Sequence, residues 1–240
     1  MTENIIADVM YDILPDHTHG LDLDPQGNMT SGLGVNKNEL ENTVYELMLD
    51  ECSIKESMVD TVVDGMKIIP SNVNLAGAEI ELLGIEDKEY ILKNAVDYVR
   101  DDYDFIIIDC MPSLGMLTIN ALACADSVLI PVQAAYLPVK GLQQLIKTIG
   151  RVKKQLNPKL KIEGILLTMV DNRTNYARDI SLMVYDTYSA SIKVFGTEIP
   201  MSVRASEVSV EGGSIYSYDP KGKAAFAYMA LTKEVLKEAE

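Results

Sequence analysis

Near-continuous apolar runs constrain the fold of this chain more than any other feature. A strand that is apolar on both faces is typical of a parallel sheet covered by helices on both sides. The strongest runs are FIIID at 105–109, SVLIPV at 127–132 and IEGILLTMV at 162–170. Weaker candidate strands are LDLD at 21–24, MKIIP at 66–70 and KVFGTEI at 193–199. The sequence therefore predicts a mainly parallel sheet with buried central strands.

Segments with helical spacing of apolar residues alternate with these runs. They cover 75–83, 88–99, 114–124, 139–155, 177–188 and 222–238. Strands that alternate with helices of this length build βαβ units. We predict an α/β fold with a doubly wound, mainly parallel sheet flanked by helices. We find no internal repeat or linker, and expect one domain over 21–240 after an atypical segment at 1–20.

Two acidic motifs lie where the predicted strands end. In LDLDPQGN, Asp22 and Asp24 alternate along a short strand, so both carboxylates point to one face. In FIIIDCMPSLG, Asp109 ends a buried strand, at the rim where open α/β sheets bind ligands. Such carboxylates can bind a metal ion or position a water molecule. The alternative is that they only terminate strands and cap turns.

Two histidines precede the first acidic motif. His17 and His19 lie beside Asp22 and could bind a divalent metal ion through imidazole and carboxylate groups. We interpret the HTH segment instead as a polar, solvated turn.

Several motifs together resemble the ParA/Soj family of plasmid and chromosome partitioning ATPases. They are, in order, LDLDPQGNMTSGLG, DDYDFIIIDCMPSLGMLTINAL, ADSVLIPVQAAYLPVKGLQQL, LLTMVDNRTNYAR, TEIPMSVRASE and YDPKGKAAFAY. The resemblance covers about residues 21–240 and implies a deviant-Walker P-loop fold. It further implies ATP and Mg²⁺ as cofactors, a homodimer, nonspecific DNA binding, a ParB-type partner protein and a cytoplasmic, nucleoid-associated location.

The resemblance also assigns roles to individual residues. Asp24 matches the aspartate that positions the attacking water, and Asp22 is its neighbour in the motif. Asp109 matches the Walker B aspartate beside Mg²⁺. The residues that match loops contacting adenine are Met169, Asp171, Arg173, Ile199 and Pro200. Arg204 matches an arginine that contacts DNA, and Lys221 and Lys223 would extend that basic surface. For these three cations, an exposed charge, or an internal ion pair for Arg204, remains an alternative.

The first twenty residues depart from the family pattern. The family has a strand, a KGGVGKT loop and a helix before the first acidic motif. In residues 1–20, by contrast, Gly20 is the only glycine, and there is no lysine or arginine. We therefore expect impaired ATP binding and hydrolysis. Apolar residues between Ile5 and Leu14 have helical spacing, so we expect an amphipathic helix there. The sheet would then carry a gap, or a partner would cover it.

Other functions remain open at this point. The chain could be a pseudo-ATPase that acts as a binding module, or a shortened, non-functional copy of such a protein. A membrane-associated MinD-like role is disfavoured, because the tail LTKEVLKEAE is mixed in charge and ends acidic. Net charge is −15, but residues 131–240 carry +4 against −19 in residues 1–130. A basic half on an acidic protein can still present a local positive surface to a polyanion.

Overall fold

The computed structural model describes residues 17–111, 113–211 and 214–239. The helix expected between Ile5 and Leu14 lies outside these residues. No helix among the described residues is long and apolar enough to cross a membrane.

Within residues 17–239, as far as the structure describes them, six strands form two separate sheets. The strands are β1 (Thr18–Leu23), β2 (Val59–Asp60), β3 (Lys67–Ile69), β4 (Phe105–Cys110), β5 (Ser127–Gln133) and β6 (Lys161–Thr168). The four-stranded sheet has the order β2-β3-β1-β4, and β5 and β6 form a two-stranded sheet. All pairs are parallel except β2–β3, which is antiparallel. The prediction of a mainly parallel sheet is confirmed.

Helices cover both sheets and connect the strands. They are α1 (Asn28–Gly32), α2 (Val44–Met48), α3 (Leu75–Glu81), α4 (Ile91–Asp97), α5 (Met116–Cys124), α6 (Tyr136–Gln155), α7 (Asn175–Tyr188), α8 (Val203–Glu211), α9 (Ile215–Tyr218) and α10 (Lys223–Ala239). Short 3₁₀ turns cover 82–84, 88–90 and 100–102. The six helices predicted between residues 75 and 238 are present, although the segments at 75–83 and 88–99 are shared between a helix and 3₁₀ turns.

The predicted strand at 193–199 is wrong. The segment forms only isolated parallel bridges, from Val194 to Ile165 and from Pro200 to Val170. Between them Phe195 is completely buried among apolar side chains from α8, α9 and α10. The backbone N of Phe195 donates to Ile165 and the next bond comes from Ile199 to Leu167, so four residues of this segment span two residues of β6 and the ladder is interrupted.

Helix α5 packs against both sheets. Its residues Leu117 and Ala121 pack in a cluster with Leu21 and Leu23 of β1, while Leu122 packs with apolar side chains of β5 and α6. On the other side of the molecule, α1 contacts α8. The two sheets therefore lie side by side and are linked through their helices.

Each sheet has an edge strand that pairs on one side only within the described part of the chain. Among the described strands, β4 pairs only with β1, and β5 pairs only with β6. Every side chain of β1 is buried, whereas every side chain of β4 is only partly buried. Strand β4 is therefore less buried than its neighbour β1 in the same sheet.

The interpretation of His19 as part of a solvated turn is wrong. The strand already begins at Thr18, and His19 is fully buried between Lys67 of β3 and Ile106 of β4. Its ring stacks on Tyr103 with 5.0 Å between centroids. Burial lowers the pKa of His19 from 6.5 to about 4. The histidine is therefore neutral and belongs to the core.

Candidate functional site

The acidic motifs meet at the carboxyl ends of β1 and β4. Asp22 and Asp109 are direct partners in the parallel register of the two strands, so their backbones lie side by side. Asp24 follows β1 in the turn that leads to α1. The structure therefore brings together the three carboxylates that the sequence analysis singled out.

Asp22 is held in place by α1. It is completely buried, and Oδ2 accepts hydrogen bonds from the backbone N of Thr30 at 2.8 Å and from its hydroxyl at 2.7 Å. Oδ1 accepts a bond from the backbone N of Asp24 at 3.1 Å. Burial raises the pKa of Asp22, while these bonds act in the opposite direction. This carboxylate therefore fixes the start of α1 against the end of β1.

Asp24 shapes the turn between β1 and α1. Its Oδ1 accepts a hydrogen bond from the backbone N of Gln26 at 2.9 Å, and its carbonyl accepts one from Gly27 at 2.8 Å. Gly27 has φ of 58°, a left-handed conformation that glycine adopts without strain. An added Cβ there would also lie 2.7 Å from the carbonyl oxygen of Ser71. The turn formed by the PQG segment therefore requires glycine at position 27.

Cys110 lies next to Asp109 at the end of β4. Desolvation raises the pKa of its thiol, and the nearby carboxylates of Asp109, Asp22 and Asp24 raise it further. A thiol held in its protonated form is a weak nucleophile. The carboxylates of Asp22, Asp24 and Asp109 are thus all close enough to Cys110 to act on its thiol.

Several buried polar atoms near this edge were missed by the sequence analysis. The hydroxyl of Thr30 also accepts a bond from the backbone N of Ser71 at 2.9 Å, which ties β3 to the Asp22 network. The hydroxyls of Ser71 and Ser113 and one carboxylate oxygen of Glu79 are buried without a hydrogen-bond partner among the described residues. The TSGLG segment was part of the recognised motif, but nothing in its letters marked Thr30 as the link.

The residues at this edge do not fit a triphosphate. Carboxylates would repel a polyphosphate, and the sequence contains no lysine or arginine before Lys37. The amine of Lys37 donates to the carbonyl of Gln26, which places one cation at the turn. No group of three metal-binding side chains forms a cation site within the described residues. The carboxylate of Asp109 is chemically suited to Mg²⁺, which prefers oxygen ligands.

The loops matched to adenine contacts lie on the other sheet. Val170 donates from its backbone N to the carbonyl of Ile199 at 3.0 Å, so the loops at 169–173 and 199–200 lie together at the carboxyl end of β6. Met169 has a left-handed φ of 53°. The guanidinium of Arg173 binds both carboxylate oxygens of Asp171 at 2.8 and 2.9 Å, which lowers the pKa of Asp171.

Ile199 and Pro200 differ in exposure. Ile199 is only 2% exposed and packs with α8, α9 and α10, whereas Pro200 is partly exposed. The side chain of Ile199 therefore serves the core, and only the backbone of this segment is placed to line a site.

The cations matched to DNA contacts lie on α8 and around the start of α10. Arg204 is in the first turn of α8, and its side chain is 62% exposed. It pairs with Glu207 at 3.4 Å, and its guanidinium lies 5.7 Å from the ring centre of Tyr218. The hydrogen bond that Arg204 donates to the Tyr218 hydroxyl and the charge of Glu207 raise the pKa of Arg204. Arg204 is thus both exposed and paired with an acidic side chain of the same chain, which were the two alternatives given for it above.

Lys221 and Lys223 are exposed on the same side of the chain as Arg204. They flank Gly222, whose backbone N donates to the carbonyl of Asp219. The charge of Asp219 acts on Arg204, which places the turn at 219–222 close to the guanidinium. Exposed ion pairs of this kind contribute about 0–1 kcal/mol, so Arg204 can exchange Glu207 for a phosphate at small cost.

Comparisons with known proteins agree with this arrangement. A family described as an AAA domain matches residues 18–162. The chain is 46% identical over 215 residues to the sporulation initiation inhibitor protein Soj of Bacillus subtilis, covering 90% of this chain and 84% of that protein. It is 44% identical over 217 residues to the chromosome partitioning protein ParA of Myxococcus xanthus, covering 90% and 76%.

A solved structure gives the same picture. Cobyrinic acid a,c-diamide synthase from Mycobacterium smegmatis, with a bound ATP analog and magnesium, superposes with a TM-score of 0.83. The two are 34% identical, and the match covers 97% of this chain and 87% of that one. The two sheets therefore keep, relative to one another, the arrangement found in that protein.

Proposed function

The chain belongs to the ParA/Soj family of chromosome and plasmid partitioning ATPases, and we propose that it binds DNA nonspecifically as a dimer without binding ATP tightly. Membership of the partitioning family supports binding to DNA and to a ParB-type partner protein. It also supports a homodimer and a nucleoid-associated location in the cytoplasm. The domain that carries this function runs from 21 to 240, with residues 1–20 as an atypical segment. The absence of a phosphate loop from these 240 residues is the observation that carries the ATP part of the proposal.

We expect weak ATP binding because the hydrogen bonds that a phosphate loop would supply are missing. A phosphate loop supplies charge-assisted hydrogen bonds worth roughly 1.5–3 kcal/mol each. Losing four of them removes about 6–12 kcal/mol, whereas a micromolar site corresponds to about 8 kcal/mol in total. The carboxylates of Asp22, Asp24 and Asp109 add repulsion. If a phosphate loop were supplied, Asp109 would orient Mg²⁺ and Asp24 would position the attacking water. The backbone at 169–173 and 199–200 would contact the adenine ring.

The proposed DNA surface consists of Arg204, Lys221 and Lys223. A guanidinium remains charged at all relevant pH values and can bind two phosphate oxygens at once. Its exposure on α8, with only a surface ion pair to Glu207, supports this role. Contacts of this kind carry no sequence information, as expected for nonspecific binding.

Two measurements test the proposal. Calorimetry with ATP and Mg²⁺ on the purified chain should show no micromolar binding by a cooperatively folded protein. Micromolar binding would contradict the ATP part, and so would DNA retention that requires ATP.

The DNA part is tested with a matched pair of charge reversals. Arg204→Glu should reduce retention of a random-sequence duplex at least tenfold. Lys159→Glu is the control, because Lys159 is exposed and precedes β6 at the opposite end of the sheet. Equal losses in both variants would mean that overall charge, and not this surface, governs binding.

A further inference from the structure

Helix α10 presents a basic face with one aromatic ring to solvent. Between positions 223 and 237 its exposed residues are Lys223, Phe226, Ala230, Lys233 and Lys237. Residues three and four apart are neighbours on a helix surface, so these five lie on one side of α10. At a rise of 1.5 Å per residue they extend over about 21 Å. We call this set the α10 stripe.

The lysines of the α10 stripe are available to an anionic ligand. Within the described part of the chain, none of them pairs with a carboxylate. The one acidic residue between positions 223 and 237 is Glu234, which accepts hydrogen bonds from the backbone N of Gly196 and the hydroxyl of Thr197. On a chain with a net charge of −15, this local positive surface favours a polyanion.

Phe226 indicates which polyanion fits. Its side chain is 59% exposed, with Lys223 one turn before it and Ala230 one turn after it on the same side of the helix. A phenyl ring gains nothing from a phosphate group, but an unpaired base can stack on it. Lysines that follow a backbone, with an aromatic ring among them, are typical of surfaces that bind single-stranded nucleic acid.

Two other polyanionic partners fit the α10 stripe less well. A helix that binds a membrane surface buries a broad apolar face, whereas the apolar face of α10 is in the core, with Ala225, Tyr228 and Leu231 each 1% exposed. In a DNA duplex the bases stack on one another, so an aromatic side chain can enter only if a base step is unstacked. A single strand offers its bases without that cost.

We propose that the α10 stripe binds single-stranded DNA, with backbone phosphates on its lysines and an unpaired base stacked on Phe226. The stripe carries no side-chain acceptor for a ribose 2′-hydroxyl, so we expect no preference for RNA. The proposal goes beyond the duplex surface described above. The two surfaces share Lys223, but Phe226 and Lys233 belong to the α10 stripe alone, so one proposal can fail without the other.

Two probes of equal length and charge isolate the stacking contact. One is a labelled oligothymidine of about ten nucleotides, and the other is an abasic oligonucleotide of the same length. By fluorescence anisotropy, Phe226→Ala should bind oligothymidine at least ~5-fold more weakly than the parent chain and bind the abasic strand within about 2-fold of it. Phe226→Tyr keeps the ring and should match the parent. An equal loss on both probes, or no loss on oligothymidine, would overturn the proposal.

A charge variant tests the phosphate contacts. Lys233→Gln should weaken binding of both probes and reduce the slope of log affinity against log salt by about 0.7 on the single strand. Lys159→Gln is the matched control, because Lys159 is exposed and precedes β6 rather than lying on α10. Equal slopes in the two variants would contradict the assignment of the lysines.

A random-sequence duplex separates this proposal from the proposed function. Phe226→Ala should bind the duplex as tightly as the parent chain does. A parallel loss of duplex affinity would overturn the proposal, because the ring would then contact paired DNA. Duplex binding by a parent chain that does not bind oligothymidine would overturn this proposal alone. An oligouridine bound at least ~10-fold more tightly than oligothymidine would overturn the assignment to DNA.

Discussion

Thr30 joins Asp22 to Ser71 across the carboxyl edge of the four-stranded sheet. Its hydroxyl donates to the Asp22 carboxylate at 2.7 Å and accepts from the backbone N of Ser71 at 2.9 Å. One side chain therefore satisfies a buried charge from β1 and a buried amide beyond β3. The candidate site depends on this link, because Asp24 and the turn into α1 follow directly from Asp22.

We expect Thr30→Val to lower the free energy of unfolding by about 2–4 kcal/mol, because a bond to a charged group and a bond from a buried amide are both lost. The valine keeps the volume of threonine, so packing is little changed. Thr30→Ser retains the hydroxyl and should cost under about 1 kcal/mol. Urea unfolding of the three proteins measures the difference, and equal losses in both variants would show that the methyl group matters instead.

Protonation of His19 should make the chain sensitive to mild acid. Burial lowers its pKa from 6.5 to about 4, so the unfolded chain takes up a proton in this window and the folded chain does not. Its contribution is therefore fully present above pH 6.5 and is lost as pH falls to about 4, about 3 kcal/mol in all. His19→Phe keeps the stacking on Tyr103 and should lose less stability over that range.

The test compares His19→Phe with the parent chain. Chemical denaturation at intervals between pH 7 and 4 gives the comparison. Identical profiles for the parent and His19→Phe would show that other groups determine the acid sensitivity.

Gly164 allows Phe195 to pack against β6. A Cβ at Gly164 would lie 2.7 Å from the Phe195 ring, which is fully buried. Gly164→Ala should therefore cost about 1–3 kcal/mol through overpacking. Gly196→Ala is the control, since an added Cβ there meets nothing within 4 Å. A thermal midpoint that is unchanged in Gly164→Ala would show that the ring moves aside freely.

Lys221 and Lys223 should contribute to DNA affinity through phosphate contacts. If each lysine neutralises one phosphate, Lys221→Gln and Lys223→Gln will each reduce the slope of log affinity against log salt by about 0.9. Both side chains are exposed, so stability should remain within about 0.5 kcal/mol. Fluorescence anisotropy over a series of salt concentrations provides the slope, and an unchanged slope would remove that lysine from the surface.

Much of the fold could be predicted because apolar runs report burial directly. The run at 105–109 became β4, the run at 127–132 became β5, and the run at 162–170 became β6, each with its ends shifted by at most two residues. Short helices such as α1 and α2 were missed because five residues are too few for a periodic pattern to emerge.

Local chemistry explains the remaining differences. His19 was assigned to a turn because histidine and threonine are polar. In the structure it lies between β3 and β4, two strands that are distant from it in the sequence. Ile199 was expected near a base, whereas its side chain lies in the core, which only the packing of α8, α9 and α10 decides.

The contiguous origin of each sheet has a consequence for biosynthesis. Strands β1 to β4 all come from residues 18–110, and β5 and β6 from residues 127–168. Since a nascent chain emerges from its amino terminus at about 5–20 residues per second, the first sheet can finish pairing before the second has left the ribosome. The apolar cluster against which Ile106 and Ile108 pack is then closed only when Leu117 and Ala121 of α5 have emerged.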